Sequence, residues 1–142
     1  MRPHLAFPTV EIRICDGQPE LAEAQSLAGL LYALTARIAR AHDEGEPLPA
    51  HPHHLIEENL WRATRHGLSE SFIDLDRRVV LPARQRIEDL LTWIAPVAEE
   101  LGASAYLGVP ERNAAERQIA LCEAGEGLED IYAAEVLEPV RV

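Results

Sequence analysis

Hydrophobic and polar residues alternate with a period of two in one stretch near the start of the chain. Over Thr9–Cys15, valine and isoleucine alternate with glutamate, arginine and cysteine, between a proline and an Asp-Gly pair. This alternation is typical of a strand with one buried face and one polar face. We therefore predict a strand over Thr9–Cys15, packed beneath helices through three buried side chains: Val10, Ile12 and Ile14.

The pattern that follows has the period of a helix. From Leu21 to Ala41, apolar residues recur at three- and four-residue steps, which predicts a long amphipathic helix. Its apolar stripe consists of Leu21, Ala24, Ala28, Leu31, Leu34 and Ile38. A second helix is expected over His53–His66, with Gly67 as its C-terminal cap.

The second half of the chain continues with short strands and helices. Phe72–Leu75 and Arg78–Leu81 favour two short strands around Asp76 and Arg77. A third helix should open at Pro82, bend at Pro96 and end at Gly102. Asn113 and Glu116 match a capping box that begins a helix to Ala124, and Leu128–Leu137 favours a final helix.

These elements predict one mostly helical α+β piece with an N-terminal strand and a short hairpin. The helices over Leu21–Ala41 and Ile87–Leu101 carry the longest apolar stripes. Each stripe needs a partner that buries it, so we expect the two helices to pack together.

Composition narrows the classes of function. The chain has 24 acidic residues against 13 basic ones, a formal net charge of −11. This excess argues against binding to nucleic acid or to an anionic membrane surface, which both require basic patches. The apolar run Leu27–Leu34 is too short to span a bilayer, and the N-terminus lacks the apolar core of a signal peptide. Two distant cysteines form no disulfide framework, so a cytoplasmic protein is expected.

The predicted strand carries the first candidate chemistry. Glu11 and Arg13 are two residues apart, so their side chains point to the same face. A carboxylate can hold magnesium, and a guanidinium can clamp a phosphate or a carboxylate. The alternative is an ion pair on a solvated sheet face, which the spacing alone favours.

A second candidate cluster lies on the second helix. Asn59, Arg62 and Arg65 follow one another at three-residue steps and share an arc that could grip a phosphate or a substrate carboxylate. The alternative is a solvated face whose charge is balanced by nearby glutamates. Trp61 points elsewhere and is expected in the core. The histidines at 51, 53 and 54 fall in a proline-rich stretch and are expected in an exposed loop.

Several segments together resemble the carboxylate–amine ligases of the glutamate–cysteine ligase type 2 family. They are Arg2–His4, Pro8–Asp16, Leu55–Leu68, Leu81–Arg84 and the helix from Ile87 to Gly102. In that family, as in glutamine synthetase, a Glu-x-Arg strand supplies a metal-binding glutamate and an arginine that faces substrate and phosphate. The resemblance implies that Glu11 is a ligand of Mg²⁺ and that Arg13 is a catalytic residue.

The resemblance also implies further binding residues. Arg2 is a weaker candidate for the pocket of Glu11 and Arg13. The run Asn-x-Trp-Arg-x-x-Arg matches a family motif, which implies substrate- or phosphate-binding roles for Asn59, Arg62 and Arg65.

The same resemblance implies a fold and a reaction. Residues 1–142 would be the C-terminal portion of a larger ligase, and their strand would belong to an antiparallel glutamine-synthetase-like sheet. Family members carry most of that sheet in a long N-terminal part that this chain lacks. With ATP and Mg²⁺, they activate a carboxylate, commonly the γ-carboxylate of glutamate, as an acyl phosphate that an amine then attacks.

We therefore expect a split or truncated ATP-dependent ligase that needs a second chain or the missing N-terminal part and is inactive alone. Its small-molecule partners would be an amino acid and an amine. The alternative is a non-catalytic helical subunit or interaction module whose strand completes a sheet with a partner chain. A homo-oligomer is compatible with either function.

Overall fold

The structure is a computed structural model that describes residues 2–4, 6–47 and 49–134. Over these residues the helices are α1 (Leu21–Asp43), α2 (His53–His66), α3 (Ala83–Glu100), α4 (Ala114–Glu123) and α5 (Leu128–Tyr132). The strands form two antiparallel pairs, β1 (Arg2–Pro3) with β2 (Val10–Glu11) and β3 (Ser71–Asp74) with β4 (Val79–Pro82). The predicted class, a mostly helical α+β chain, is confirmed.

The core lies between α1 and α3. It is built on four buried residues, Ala33, Ile94, Ala98 and Ala103, surrounded by half-buried leucines of α1, α3 and the loop that follows α3. Three of the four are alanines, and small side chains let the two helix backbones approach closely. The predicted packing of these two helices is confirmed.

The buried side of α1 differs from the predicted stripe. Leu21, Ala24 and Ala28 are exposed, whereas the core-facing side includes Ala33 and Ala41. Alanine is frequent all around α1, so three- and four-residue steps fit more than one stripe. Packing against α3 selects the side on which leucines flank a buried alanine.

The predicted hairpin is present, one residue earlier in its first strand and one residue later in its second. β3 pairs with β4 so that Phe72 lies opposite Leu81 and Asp74 opposite Val79. The tight turn between them places Arg78 in the left-handed region at φ 57°. This backbone conformation is uncommon for residues other than glycine.

The N-terminal strand is much shorter than predicted. β2 comprises Val10 and Glu11 alone, pairing with Pro3 and Arg2. Val10 and Ile14 are exposed and Ile12 is half-buried, so the prediction of a strand over 9–15 with three buried apolar residues is wrong. Alternation fixes which side chains share a face, but a longer strand also needs neighbouring strands for its backbone hydrogen bonds, and β1 supplies two residues.

The ends of the later helices follow the sequence signals. The Asn113 side chain accepts a hydrogen bond from the Glu116 N–H at 2.9 Å, and Glu116 accepts one from the Asn113 N–H at 3.0 Å, which confirms the capping box. Gly102 adopts a positive φ of 70° where α3 ends. The last three residues of the predicted helix over Leu128–Leu137 lie outside the described residues.

One prediction about α2 is wrong: Trp61 is exposed instead of buried in the core, with its ring edge-on to His66. The predicted helix over His53–His66 is confirmed, so His53 and His54 lie in its first turn and not in the exposed loop that was also expected for them. Among the helices described, none combines the length and the apolar character that crossing a bilayer requires.

The α1–α3 core predicts a large effect for one truncation. Ile94 is fully buried, so Ile94→Ala should lower the free energy of unfolding by about 2–5 kcal/mol through lost burial and a residual cavity. The control is Ile119→Ala, since Ile119 is an exposed isoleucine on α4 and its loss should change stability by less than about 1 kcal/mol. Urea unfolding of both variants measures the difference, and equal stabilities would contradict this description of the core.

Candidate functional site

Glu11, the last residue of β2, and Arg13, two residues beyond it, form a direct ion pair. The Arg13 Nε donates to the Glu11 Oε1 at 2.8 Å, with side chains that are 69% and 49% exposed. The structure thus brings together the two residues that the Glu-x-Arg pattern singles out. Water screens a pair of this exposure, so it contributes little stability and both groups can be approached by a ligand.

The residues present can supply part of a magnesium site. Glu11 is an accessible hard oxygen ligand, and Mg²⁺ usually binds through one or two carboxylates together with water and phosphate oxygens. Over the described residues, no cluster of three metal-ligating side chains exists. The chain therefore fits Mg²⁺ as the provider of one ligand, with the remaining ligands coming from elsewhere.

Arg2 lies next to this pair in the backbone pairing. In the β1–β2 register, Arg2 is directly opposite Glu11. Residues opposite one another across two antiparallel strands are close neighbours. The pairing therefore brings the third predicted residue of this pocket to the same place in the fold.

Asn59 is engaged with the hairpin. Its Nδ2 donates to the Ile73 carbonyl at 2.9 Å, and its Oδ1 accepts from the Ile73 N–H at 2.8 Å. One side-chain amide thus pairs with both backbone groups of one residue, as a neighbouring strand would. These two hydrogen bonds satisfy the backbone groups of Ile73 on the side of β3 that faces away from β4. They also hold α2 against that strand.

Arg62 also contacts the hairpin, whereas Arg65 does not. Arg62 donates from Nη1 to the Ser71 carbonyl at 3.3 Å and from Nε to the Glu58 Oε1 at 2.8 Å. Arg65 is exposed and makes no hydrogen bond or ion pair with any described residue. Of the three predicted arc residues, Arg65 is therefore the one with its guanidinium available. No described polar contact joins this arc to Glu11 or Arg13.

Asp74 is a buried carboxylate that the sequence prediction missed. It is 2% exposed, and its Oδ1 accepts hydrogen bonds from the N–H groups of Asp76 at 3.1 Å and Arg77 at 2.9 Å. Its Oδ2 accepts from the Arg86 Nη1 at 2.7 Å. The signal was an aspartate ending a strand just before a turn, a position where its side chain caps backbone N–H groups.

The environment of Asp74 favours its charged form. The Arg77 N–H bond, helped by the positive charges of Arg86 and Arg77, holds the pKa of Asp74 below its ordinary value despite the opposing effect of burial. Arg77 also binds the Asp89 carboxylate at 2.9 Å. Two acids and two arginines thus neutralise one another, so this cluster joins the hairpin to α3 and presents no spare charge to a ligand.

Arg84 holds the loop that precedes α4. Its Nη1 donates to the Pro110 carbonyl at 2.9 Å, and its Nη2 donates to the carbonyl of Glu111. The arginine of the Leu81–Arg84 segment is therefore occupied by the backbone of the chain itself.

A cleft of about 520 Å³ lies between α1, α3 and the loop before α4. Its walls are mainly apolar side chains, including Leu27, Leu90 and Val109. Glu23, at one wall, is neutralised by Arg117 at 2.6 Å. The cleft offers no uncompensated cation, so it does not suit a phosphate.

The chain is similar to one known family over most of its length. Residues 1–126 match the family model described as "Glutamate-cysteine ligase family 2". A relative from Solibacter usitatus, named "Putative glutamate--cysteine ligase 2", is 38% identical over 84% of this chain and 32% of its own length. A relative of the same name from Thermobifida fusca is 36% identical over 97% of the chain and 36% of its own length.

A third relative, "Putative glutamate--cysteine ligase 2-1" of Frankia casuarinae, is 42% identical over 75% of the chain and 28% of its own length. The chain therefore spans about a third of the length of these curated relatives. No solved structure matches it.

The Asp74 cluster predicts how stability depends on pH. Because the pKa of Asp74 is lower in the folded chain than in the unfolded one, its charge stabilises the fold above the ordinary aspartate pKa. That stabilisation is lost as pH falls through the lowered value. Asp74→Asn should thus be less stable than the parent at neutral pH, with a difference that shrinks below about pH 4.

Urea unfolding of parent and variant at about pH 7 and about pH 3 measures this change. Asp43→Asn, at an exposed aspartate, is the control and should show no comparable convergence. A stability difference for Asp74→Asn that is the same at both pH values would contradict the assignment.

Proposed function

Because the chain belongs to glutamate–cysteine ligase family 2, we propose that it is the part of an ATP-dependent carboxylate–amine ligase that supplies Glu11 and Arg13. In the proposed reaction, ATP phosphorylates a carboxylate, such as the γ-carboxylate of glutamate. The amine then attacks the acyl phosphate, the new amide forms, and phosphate leaves. The observation that carries the proposal is the accessible carboxylate–guanidinium pair of the Glu-x-Arg segment.

Glu11 and Arg13 take different roles in this proposal. Glu11 is a magnesium ligand, and the bound ion neutralises phosphate oxygens. Arg13 turns from Glu11 toward the phosphate or the substrate carboxylate and stabilises charge as it moves between them. Separating the two side chains costs at most about 1 kcal/mol, because exposed ion pairs are weak.

The contacts of the other predicted site residues separate those that could bind a ligand from those that position α2. Arg2 lies across from Glu11 in the strand pairing, which supports a place in the same pocket. The guanidinium of Arg65 makes no polar contact with the described residues, which leaves it available to an anionic group. Asn59 and Arg62 could contact substrate only by leaving β3, so we assign them to holding α2 in the orientation that presents Arg65.

The remaining catalytic sheet comes from the part of the ligase that this chain does not span. The curated relatives are about three times as long as the matched segment. We propose that residues 1–142 act as one piece with that part, supplied by a longer polypeptide or by a second chain. The described residues supply one candidate magnesium ligand, Glu11, and no cluster of three metal-ligating side chains, so we propose that this piece is inactive alone.

The β2 edge also supports a second candidate function. Val10 is exposed on β2, a strand that pairs on one side with two residues, and Ile14 is exposed in the segment that follows. Such strand edges accept a strand from another protein. The chain would then be an interaction module without catalysis. Size exclusion with mass spectrometry shows whether a second polypeptide travels with it, and activity of the complex separates the two functions.

The ligase assignment predicts that two conservative changes abolish activity. The test uses a chimera in which this chain replaces its matched segment of the Thermobifida fusca relative; this chimera is called the completed ligase below. Glu11→Gln removes the charge that binds magnesium and Arg13→Ala removes the phosphate contact, so each should lower magnesium-dependent ADP release about 100- to 1,000-fold. Neither should shift the melting midpoint appreciably.

A second exposed ion pair provides the matched control. Arg40 and Glu100 are joined by hydrogen bonds of 2.9 and 3.1 Å on the α1–α3 surface. Arg40→Ala and Glu100→Gln should leave turnover intact. Normal turnover in both Glu11→Gln and Arg13→Ala would refute their assignment as site residues.

A further inference from the structure

α2 turns its polar side toward the rest of the chain and its apolar side outward. Asn59 and Arg62 bond to backbone groups at the outer edge of β3. Leu60 follows Asn59 directly and so lies about 100° farther around the helix axis. Ile56, Leu60 and Trp61 are 49%, 46% and 58% exposed, and no residue of α2 is buried.

Ile56, Leu60 and Trp61 are called here the outer face of α2. Ile56 and Leu60 are neighbours one helical turn apart, and Trp61 lies about 100° farther around the helix axis than Leu60, on the side opposite Asn59. A surface helix normally directs its apolar side to the core. The hydrogen bonds of Asn59 to both backbone groups of Ile73 prevent α2 from rotating to do so.

We propose that the outer face of α2 is the surface on which the remaining part of the ligase fold packs. The inference rests on the proposed function for the identity of the occupant, whereas the uncovered face itself is a property of this chain. The occupant would be a protein surface with an apolar groove. Such a groove takes side chains spaced by one helical turn, with an aromatic anchor beside them.

Two observations favour this occupant over a second copy of the chain. About two thirds of the length of the curated relatives lies outside the segment that matches this chain, so most of the ligase fold is available as a partner. Each copy of this chain carries a formal net charge of −11. Like charges of that size oppose self-association through the small apolar face.

The test makes one substitution, Leu60→Glu, in this chain alone and in the completed ligase. Leu60→Glu should shift the melting midpoint of this chain alone by less than about 3 °C, because the position is exposed. In the completed ligase the same change places a charge in an apolar contact. The midpoint should then fall by about 6 °C or more.

Ile119→Glu is the matched control, since it puts the same charge at an exposed isoleucine of another helix. Its shift should be small and similar in the two settings. An equally small shift for Leu60→Glu in both settings would overturn the proposal. A dimer of this chain that Leu60→Glu dissociates, seen by light scattering, would overturn it in favour of a second copy.

A labelling experiment covers the case in which the chimera does not fold. Carbene labelling of the whole Thermobifida fusca relative reports solvent access along its segment matching α2. Labelling of Ile56, Leu60 and Trp61 in this chain with protection of the matching positions in the relative supports the proposal. Strong labelling in both overturns it. Neither experiment measures turnover, so a failed ligase assignment would leave these results interpretable.

Discussion

The structure depends on the buried carboxylate of Asp74. It closes the β3–β4 turn through two backbone N–H groups and binds Arg86 of α3 at 2.7 Å. Removing one partner of a buried, hydrogen-bonded charge leaves the other uncompensated. The hairpin keeps its place on α3 because this carboxylate is fully paired, and α3 in turn buries the alanine-rich side of α1.

The position of α2 follows from that hairpin. Asn59 and Arg62 fasten α2 to the outer edge of β3, so the orientation of β3 decides which side of α2 faces outward. Arg65 has no polar contact with the described residues, and Ile56, Leu60 and Trp61 are exposed. In the proposed ligase, further polypeptide would complete the site and cover this surface.

Local signals predicted the fold better than long-range ones. The Asn113–Glu116 capping box and the glycine after α3 act within one turn of helix, so the sequence contains all of their partners. The predicted strand over 9–15 is shorter in the structure because a longer strand needs neighbouring strands for its backbone hydrogen bonds, and β1 pairs with two of its residues. Asn59 and Asp74 could not be assigned because their partners, Ile73 and Arg86, lie 14 and 12 residues away.

Part of the candidate site was also predictable, because some of its contacts join residues that are close in sequence. Glu11 and Arg13 are two residues apart, so the ion pair that joins them is a local contact. Asn59, Arg62 and Arg65 were predicted to act together, but they have different contacts in the structure. Asn59 and Arg62 bind the hairpin backbone, whereas Arg65 has no polar contact with the described residues, a difference that residue spacing does not reveal.

The central claim is that this chain holds one part of a ligase site, with the rest supplied by further polypeptide. ADP release, measured with ATP, Mg²⁺, glutamate and cysteine, tests it most directly on the pure chain and the completed ligase side by side. We expect no release above the blank for the pure chain and magnesium-dependent release for the completed ligase. Robust magnesium-dependent release from the pure chain would contradict it.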